Sequence, residues 1–575
     1  MDYMQEYRRW LDSPVLTEAE RAQLTALGSD RAELERRFFA PLSFGTAGLR
    51  GIMGMGIRNI NVYTVREATE AFARVILEEG EAFSSRGVCV CWDCRIDSGR
   101  FAREAARVLA ANGLKVWLFA DMRPTPELSF AIRHLGACAG INVTASHNPK
   151  EYNGYKVYWE TGAQIGTELA DRIAAHMAQI DVLEGASLCD YDAALADGRI
   201  TLLGPEMDEA YISAVLKCRV DESLIPAAAA KGFSVAYSPF HGVGAPIMPE
   251  VTARSGLPML HCVPEQMERD GNFPTLRSPN PEDPAGFALA VEVAKARGCH
   301  LILGTDPDAD RLGVMVRGAD GEYRTISANR MGALLAHYIL SRKRETGTLP
   351  QKPLVVKTIV TTELTRAVAT SLGAECADCF TGFKFIAERA DRGAAEGRTC
   401  VLGYEESIGY MVGDHARDKD GIAAGLLVTE MAAWYFLRGM TLLDAEEALL
   451  ARYGWHAEKT ANIMMPGLEG LRDMAALMAR LRREPPSQLQ GYPVLAVRDY
   501  LAGTRTTVLG TDRLDMCGSD VLTYELAGGQ KVVVRPSGTE PKIKVYALMK
   551  GPDRETAEKM AKNFADGAAA MLNIQ

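Results

Sequence analysis

Residues 87–120 begin with the apolar run Gly87-Val88-Cys89-Val90-Cys91-Trp92 and pass through a polar loop over 93–99. A helical stripe follows with Phe101, Ala105, Val108 and Leu109, then Asn112-Gly113 and a second apolar run, Val116-Trp117-Leu118-Phe119-Ala120. Strand, loop, helix, glycine stop and strand is the order of a βαβ unit, which implies a right-handed crossover and mainly parallel pairing. The same order recurs at 233–237, with Ile247 and Val251 on a short helix, Gly256 as its stop and Met259-Leu260 resuming. Its first half returns at Leu354-Val355-Val356, with Leu364, Ala367, Val368 and Leu372 before Gly373. Three such units predict three α/β domains of related topology.

The tail has a different grammar. A helical segment over 468–482 leads to Pro485-Pro486, then short strand-like runs at 494–497, 521–526, 532–534 and 543–548, then an amphipathic stretch over 554–572. Strands clustered between two helices read as a separate α+β domain. The first forty residues, rich in charge and leucine, read as a helical lead-in. A chain of 575 residues has room for about three to five domains. The expected division is 1–204, 205–324, 325–456 and 457–575.

Composition narrows the function classes. Lys and Arg number 64 against 74 Asp and Glu, a net charge of −10, and the basic residues are spread along the chain. That balance argues against nucleic acid or an anionic membrane as partner. The start lacks a basic head and an apolar run, and the apolar stretch over 425–437 is interrupted by Thr429 and Glu430, so neither a secretory signal nor a spanning helix is expected. The twelve cysteines include two CxxC pairs, Cys91/Cys94 and Cys376/Cys379, in segments that read as different domains. Reduced thiols in a cytoplasmic protein explain them better than a zinc site.

Four loops carry chemistry. In Leu301-Ile302-Leu303-Gly304-Thr305-Asp306-Pro307-Asp308-Ala309-Asp310-Arg311, an apolar strand delivers carboxylates at i, i+2 and i+4. Extended backbone would set all three on one face, where their repulsion calls for a hard divalent cation. An EF-hand fails, because Arg311 and Arg317 stand where Gly and Glu are required. Asn142-Val143-Thr144-Ala145-Ser146-His147-Asn148-Pro149-Lys150 reads by itself as a turn with a candidate serine. Val534-Arg535-Pro536-Ser537-Gly538-Thr539-Glu540 combines a guanidinium fork with hydroxyls and accessible N–H groups, as a phosphate dianion needs. Gly403-Tyr404-Glu405-Glu406-Ser407 sets adjacent acids and a hydroxyl where sugar hydroxyls could bind.

In order and spacing these loops resemble the four active-site loops of the α-D-phosphohexomutase superfamily, and the chain looks like a bacterial phosphoglucomutase/phosphomannomutase. The likeness runs roughly over 42–546, starting at Phe44-Gly45-Thr46-Ala47-Gly48-Leu49-Arg50-Gly51. It implies three α/β domains plus a C-terminal α+β domain around a central cleft. It also implies that Ser146 is phosphorylated and, with Asp306, Asp308 and Asp310, ligates Mg²⁺. His147, Lys156, Lys384 and Arg50 fall at catalytic positions. Arg311, Lys419, Glu405, Ser407, Arg535, Ser537, Gly538 and Thr539 fall at substrate-binding ones.

The implied reaction interconverts hexose 1-phosphate and hexose 6-phosphate, glucose phosphates first, with glucose 1,6-bisphosphate as intermediate and activator. Partners would be small sugar phosphates, with no nucleic acid or membrane, and the enzyme a cytoplasmic monomer or weak homodimer. Phosphopentomutase and phosphomannomutase are the alternatives on this scaffold. A Mg²⁺ phosphatase using Asp306 as nucleophile would leave Ser146 without a role. A sugar-phosphate-binding protein without catalysis would lack the serine or the carboxylates, and both are present.

Overall fold

Strand Val88–Trp92 is buried at all five residues and lies at the middle of a six-stranded sheet. In the computed structural model, which describes residues 2–465, 467–537 and 542–572, it pairs in parallel with Val116–Phe119 and Ala139–Val143. Ile200–Leu203 adds a further parallel strand, whereas Tyr152–Trp159 and Leu49–Ile52 join antiparallel. The expected mainly parallel pairing thus holds at the centre and gives way at one edge, where the chain turns back through the serine loop instead of crossing over.

A second sheet has the order Tyr323–Thr325, Leu312–Arg317, Leu301–Thr305, Val235–Ser238, Leu260–Cys262. Its last three strands are parallel and the other pairings antiparallel. Helix Gly421–Phe436, the apolar stretch noted above, packs against Leu301–Thr305 and Leu312–Arg317 and is almost wholly buried. Its two polar interruptions are hydrogen-bonded: Thr429 Oγ1 donates to Gly425 O, and Glu430 Oε1 accepts the Val220 and Asp221 N–H groups, while Glu430 Oε2 is buried without a hydrogen bond. No helix of the described residues is long and apolar enough to cross a membrane.

These elements form one unit, residues 1–326 with 407–441; residues 327–406 and 442–575 form another. The helical lead-in belongs to the first. Its helices Tyr3–Asp12, Glu18–Ala26 and Arg31–Phe38 are capped by Asp2, Thr17 and Asp30. Trp10, fully buried, meets Phe38 and Tyr63 edge-on at 5.8 and 5.5 Å, which fixes the lead-in to helix Val62–Glu78. Trp10→Ala is expected to cost about 3–5 kcal/mol. Urea melts would read that loss, and an unchanged midpoint would mean the lead-in adds nothing to the unit.

In the second unit Pro353–Thr358 pairs in parallel with Glu375–Cys379 and Thr399–Glu405, so the third repeat is a whole βαβ unit rather than half of one. The other sheet is antiparallel: Trp455–Met464, Lys542–Gly551, Lys531–Pro536, Leu522–Leu526, Tyr492–Asp499, Thr504–Thr507, Gly510–Arg513. Helices Gly467–Arg483 and Arg554–Asp566 supply Met474, Leu477, Met478, Ala561 and Phe564 to its core. Glu363 joins the two sheets: fully buried Lys357, whose Nζ also lies 2.9 Å from Asp378, reaches it at 3.0 Å, and Lys531 reaches it at 3.1 Å. The stretch over 554–572 is two helices broken at Gly567.

Candidate active site

Strand Ala139–Val143 delivers the serine loop. Thr144 Oγ1 donates to Asp93 Oδ2 at 2.6 Å and accepts the Ser146 N–H at 2.8 Å, and Ser146 sits in left-handed backbone at φ 52°. A non-glycine residue holds that conformation only when its surroundings enforce it. Arg95 does the enforcing: fully buried, its guanidinium donates to the carbonyl oxygens of Ser146, Asn148, Pro149 and Tyr152. Opposite, Gly48 (φ 73°) lets the opening motif run against Tyr152–Trp159, since a Cβ there would lie 1.8 Å from Tyr155 O. Near the end of this motif Arg50 is exposed, its Nη1 3.4 Å from Asn148 Oδ1.

Strand Leu301–Thr305 delivers the acidic loop. Ser146 Oγ donates to Asp306 Oδ2 at 2.7 Å and lies 3.2 Å from His147 Nδ1. Carboxylate oxygens of Asp306, Asp308 and Asp310 lie within 4.8 Å of one another, all buried. They converge through a tight turn, with Ala309 at φ 54°, and not on the extended backbone expected from their spacing. A turn bends all three inward around one point, whereas a strand would lay them in a row.

Lys156 Nζ reaches Asp308 Oδ2 at 2.7 Å and Asp310 Oδ2 at 3.6 Å, and Lys419 Nζ reaches Asp310 Oδ2 at 3.1 Å. Thr125 Oγ1 donates to Asp308 Oδ2 at 2.9 Å, and Arg311 N to Asp306 Oδ1 at 3.0 Å. Burial and the charges of Asp308 and Asp310 push the Asp306 carboxyl well above its ordinary range. Burial opposes the charge on Asp308 as well, but Lys156 and its hydrogen bonds hold it below that range. Burial, with Arg311 and Arg50 nearby, drives His147 well below the usual imidazole value, so the ring is neutral. Asp308 Oδ1 and Asp310 Oδ1 are buried without a hydrogen-bond partner. Two orphaned carboxylate oxygens beside a third acid fit a hard divalent cation.

The first unit thus brings together Ser146, His147, Lys156, Asp306, Asp308, Asp310, Arg311, Lys419 and Arg50, and Ser407, half-buried, also belongs to it. The second unit carries the rest. Glu405 ends strand Thr399–Glu405 and is buried; Glu406 accepts from Thr358 Oγ1 at 3.1 Å and is pushed up to about 7 by burial and the adjacent Glu405 charge. Lys384 sits in the first turn of helix Phe383–Ala395, its Nζ 4.8 Å over the Phe385 ring, and burial lowers its pKa. Arg535 stands on strand Lys531–Pro536 opposite Lys544, which concentrates positive charge there, and Ser537 N donates to Lys542 O at 2.9 Å. Gly538 and Thr539 lie outside the described residues. The sequence reading missed Asp93, Arg95 and Thr125. Asp93 opens the polar loop after Val88–Trp92, where the strand-end logic that found Asp306 applies equally.

Residues 41–184, 209–320 and 327–453 match alpha/beta/alpha domains I, II and III of phosphoglucomutase/phosphomannomutase, and 499–567 match its C-terminal domain. The chain belongs to the phosphoglucomutase/phosphomannomutase family. It is therefore an enzyme, an intramolecular phosphotransferase, with three α/β domains and a C-terminal domain as read from the sequence. Curated relatives of the chain include a phosphoglucomutase of Staphylococcus saprophyticus, 34% identical over 88% of this chain and 90% of that protein. A human phosphopentomutase is 31% identical over 99% of this chain and 95% of that one. Among solved structures, parafusin from Paramecium shares the fold, with a TM-score of 0.70 over 93% of this chain and 96% of that one at 17% identity. So does a family protein from Burkholderia thailandensis, with a TM-score of 0.65 over 92% and 97% at 19% identity.

Proposed function

We propose that the enzyme interconverts glucose 1-phosphate and glucose 6-phosphate through phosphorylated Ser146 and glucose 1,6-bisphosphate. The observation that carries this reading is the position of Ser146 Oγ, 2.7 Å from Asp306 on a strained, clamped turn that faces three carboxylates and Lys156. A free sugar hydroxyl attacks phosphorus, its oxygen gains the P–O bond, and the bond to Ser146 Oγ breaks. The hydroxyl proton ends on Oγ, and the bisphosphate returns its other phosphoryl group by the reverse step. Phosphoryl transfer demands positioning and charge stabilisation above all. Asp306, Asp308 and Asp310, with Ser146, are the residues that would hold Mg²⁺, whose contribution is charge neutralisation. Lys156 orients Asp308 and adds positive charge at the loop, and neutral His147 offers a hydrogen bond to Oγ.

Glu405, Glu406 and Ser407 select the sugar in this reading, Lys384, Arg311, Lys419 and Arg50 bind anionic groups, and the loop from Arg535 through Thr539 grips the phosphate that is not reacting. The protein works on small sugar phosphates in the cytoplasm as a monomer or weak homodimer. A pentose phosphate is the second reading, supported by the human relative's near-complete overlap. Assays with glucose, mannose and ribose 1-phosphates and added bisphosphate separate them: the highest kcat/KM belongs to glucose 1-phosphate, and a higher value for ribose 1-phosphate overturns that preference.

Arg535→Ala removes a charge-assisted fork worth about 1.5–3 kcal/mol, so KM should rise about 10- to 100-fold. Escape of the bisphosphate would leave the serine unphosphorylated, so dependence on added glucose 1,6-bisphosphate should grow as well. Arg535→Lys should recover only part of the loss. An unchanged KM and activator requirement would place the distal phosphate elsewhere.

A further inference from the structure

Away from the serine and acidic loops, the first unit holds a second reactive constellation. Cys218 follows helix Pro205–Leu216 and is partly exposed. Its Sγ lies 3.5 Å from His415 Nδ1, and His415 Nε2 lies 2.7 Å from Asp420 Oδ2. Asp420 is itself fixed: it accepts the Ile422 and Ala423 N–H groups as cap of helix Gly421–Phe436, and Tyr211 Oη donates to both its oxygens. Gly413 makes room for the thiol, since a Cβ there would lie 2.6 Å from Sγ. We propose that Cys218 is a modification site, a nucleophilic thiolate activated by His415 and oriented through Asp420, that reacts with hydroperoxides and soft electrophiles.

The order thiol, imidazole, carboxylate is that of an activated nucleophile, the third group setting the ring's tautomer and favouring its charged form. Burial disfavours a charged ring, yet Cys218 and Asp420 outweigh it and raise the His415 pKa to about 10. Sγ also lies 3.7 Å from Ala214 O and from Val412 O, so carbonyl oxygens and the imidazole share the pocket around it. With a hydroperoxide the thiolate attacks one peroxide oxygen, an S–O bond forms and the O–O bond breaks. The departing oxygen takes the His415 proton, leaving a sulfenic acid and water or an alcohol. By contrast, burial pushes the thiols of Cys91, Cys94 and Cys379 well above their ordinary range.

The test is competitive labelling of the full-length protein under native conditions with limiting iodoacetamide, read at every cysteine by peptide mass mapping. Cys218 should alkylate at least tenfold faster than the exposed Cys517. His415→Asn should remove that advantage while leaving the Cys517 rate unchanged. Dilute hydrogen peroxide followed by dimedone should place a sulfenate adduct on Cys218. The wild-type ratio decides without any variant: a Cys218 rate at or below that of Cys517 overturns the proposal. So does an undiminished Cys218 rate in folded His415→Asn.

Discussion

Ser146→Ala is expected to lose mutase turnover by about 10⁴-fold or more, the scale of removing a covalent nucleophile. Alanine keeps the left-handed backbone at φ 52° and the four-carbonyl clamp of Arg95, so the loop should stay in place while the acceptor oxygen is gone. Glycine separates chemistry from strain. Left-handed backbone costs a side-chain-bearing residue about 1–2 kcal/mol, and the added freedom of an unfolded glycine about 0.5–1 kcal/mol. Ser146→Gly should therefore be as inactive as the alanine variant and equal or greater in stability. Mass mapping of active wild-type protein should find the phosphoryl group on Ser146. Substantial turnover by folded Ser146→Ala would end the phosphoserine mechanism.

Chelation should abolish turnover, and Mg²⁺ should restore it. Three buried carboxylates converge on one point with two oxygens lacking a hydrogen bond, and the charges of Lys156 and Lys419 neutralise them only in part. Asp308→Asn removes the acid that Lys156 grips and should raise the Mg²⁺ concentration for half-maximal rate by more than about tenfold. Stability gives a readout independent of rate. A cation that binds the folded state alone adds about 2.7 kcal/mol at a hundred times its Kd, so Tm should climb with Mg²⁺ in the wild type and far less in Asp308→Asn. A Tm indifferent to Mg²⁺, with full activity in chelator, would make 306–310 a structural turn.

Much of this was legible in the chain because buried strands and their exits leave local marks. Apolar runs closed by Gly113, Gly256 and Gly373 mark helix ends, and each of those glycines has positive φ. The acidic and serine loops stood out because both follow such strands. What stayed hidden depends on pairing between distant residues. Strand Trp455–Met464 alternates weakly and carries Glu458, Lys459 and Asn462, so only its ten-residue ladder with Lys542–Gly551 defines it. Hairpin Thr504–Thr507/Gly510–Arg513 buries little, and its tip residues Val508 and Leu509 are 94% and 96% exposed, so it shows no amphipathic period. Arg95 was invisible for a third reason: its partners are backbone carbonyls some fifty residues away, which no side-chain motif records.

That clamp bears on reversibility. A catalyst that runs equally well in both directions must offer the same nest to a serine that carries a phosphoryl group and to one that has just given it away. A soft loop would settle into a different shape after each half-turnover, and every cycle would begin by climbing out of it. With one guanidinium spanning four carbonyls, the loop has almost nothing to rearrange when the dianion leaves. On the proposed mechanism the outbound and homeward transfers would therefore start from the same loop geometry.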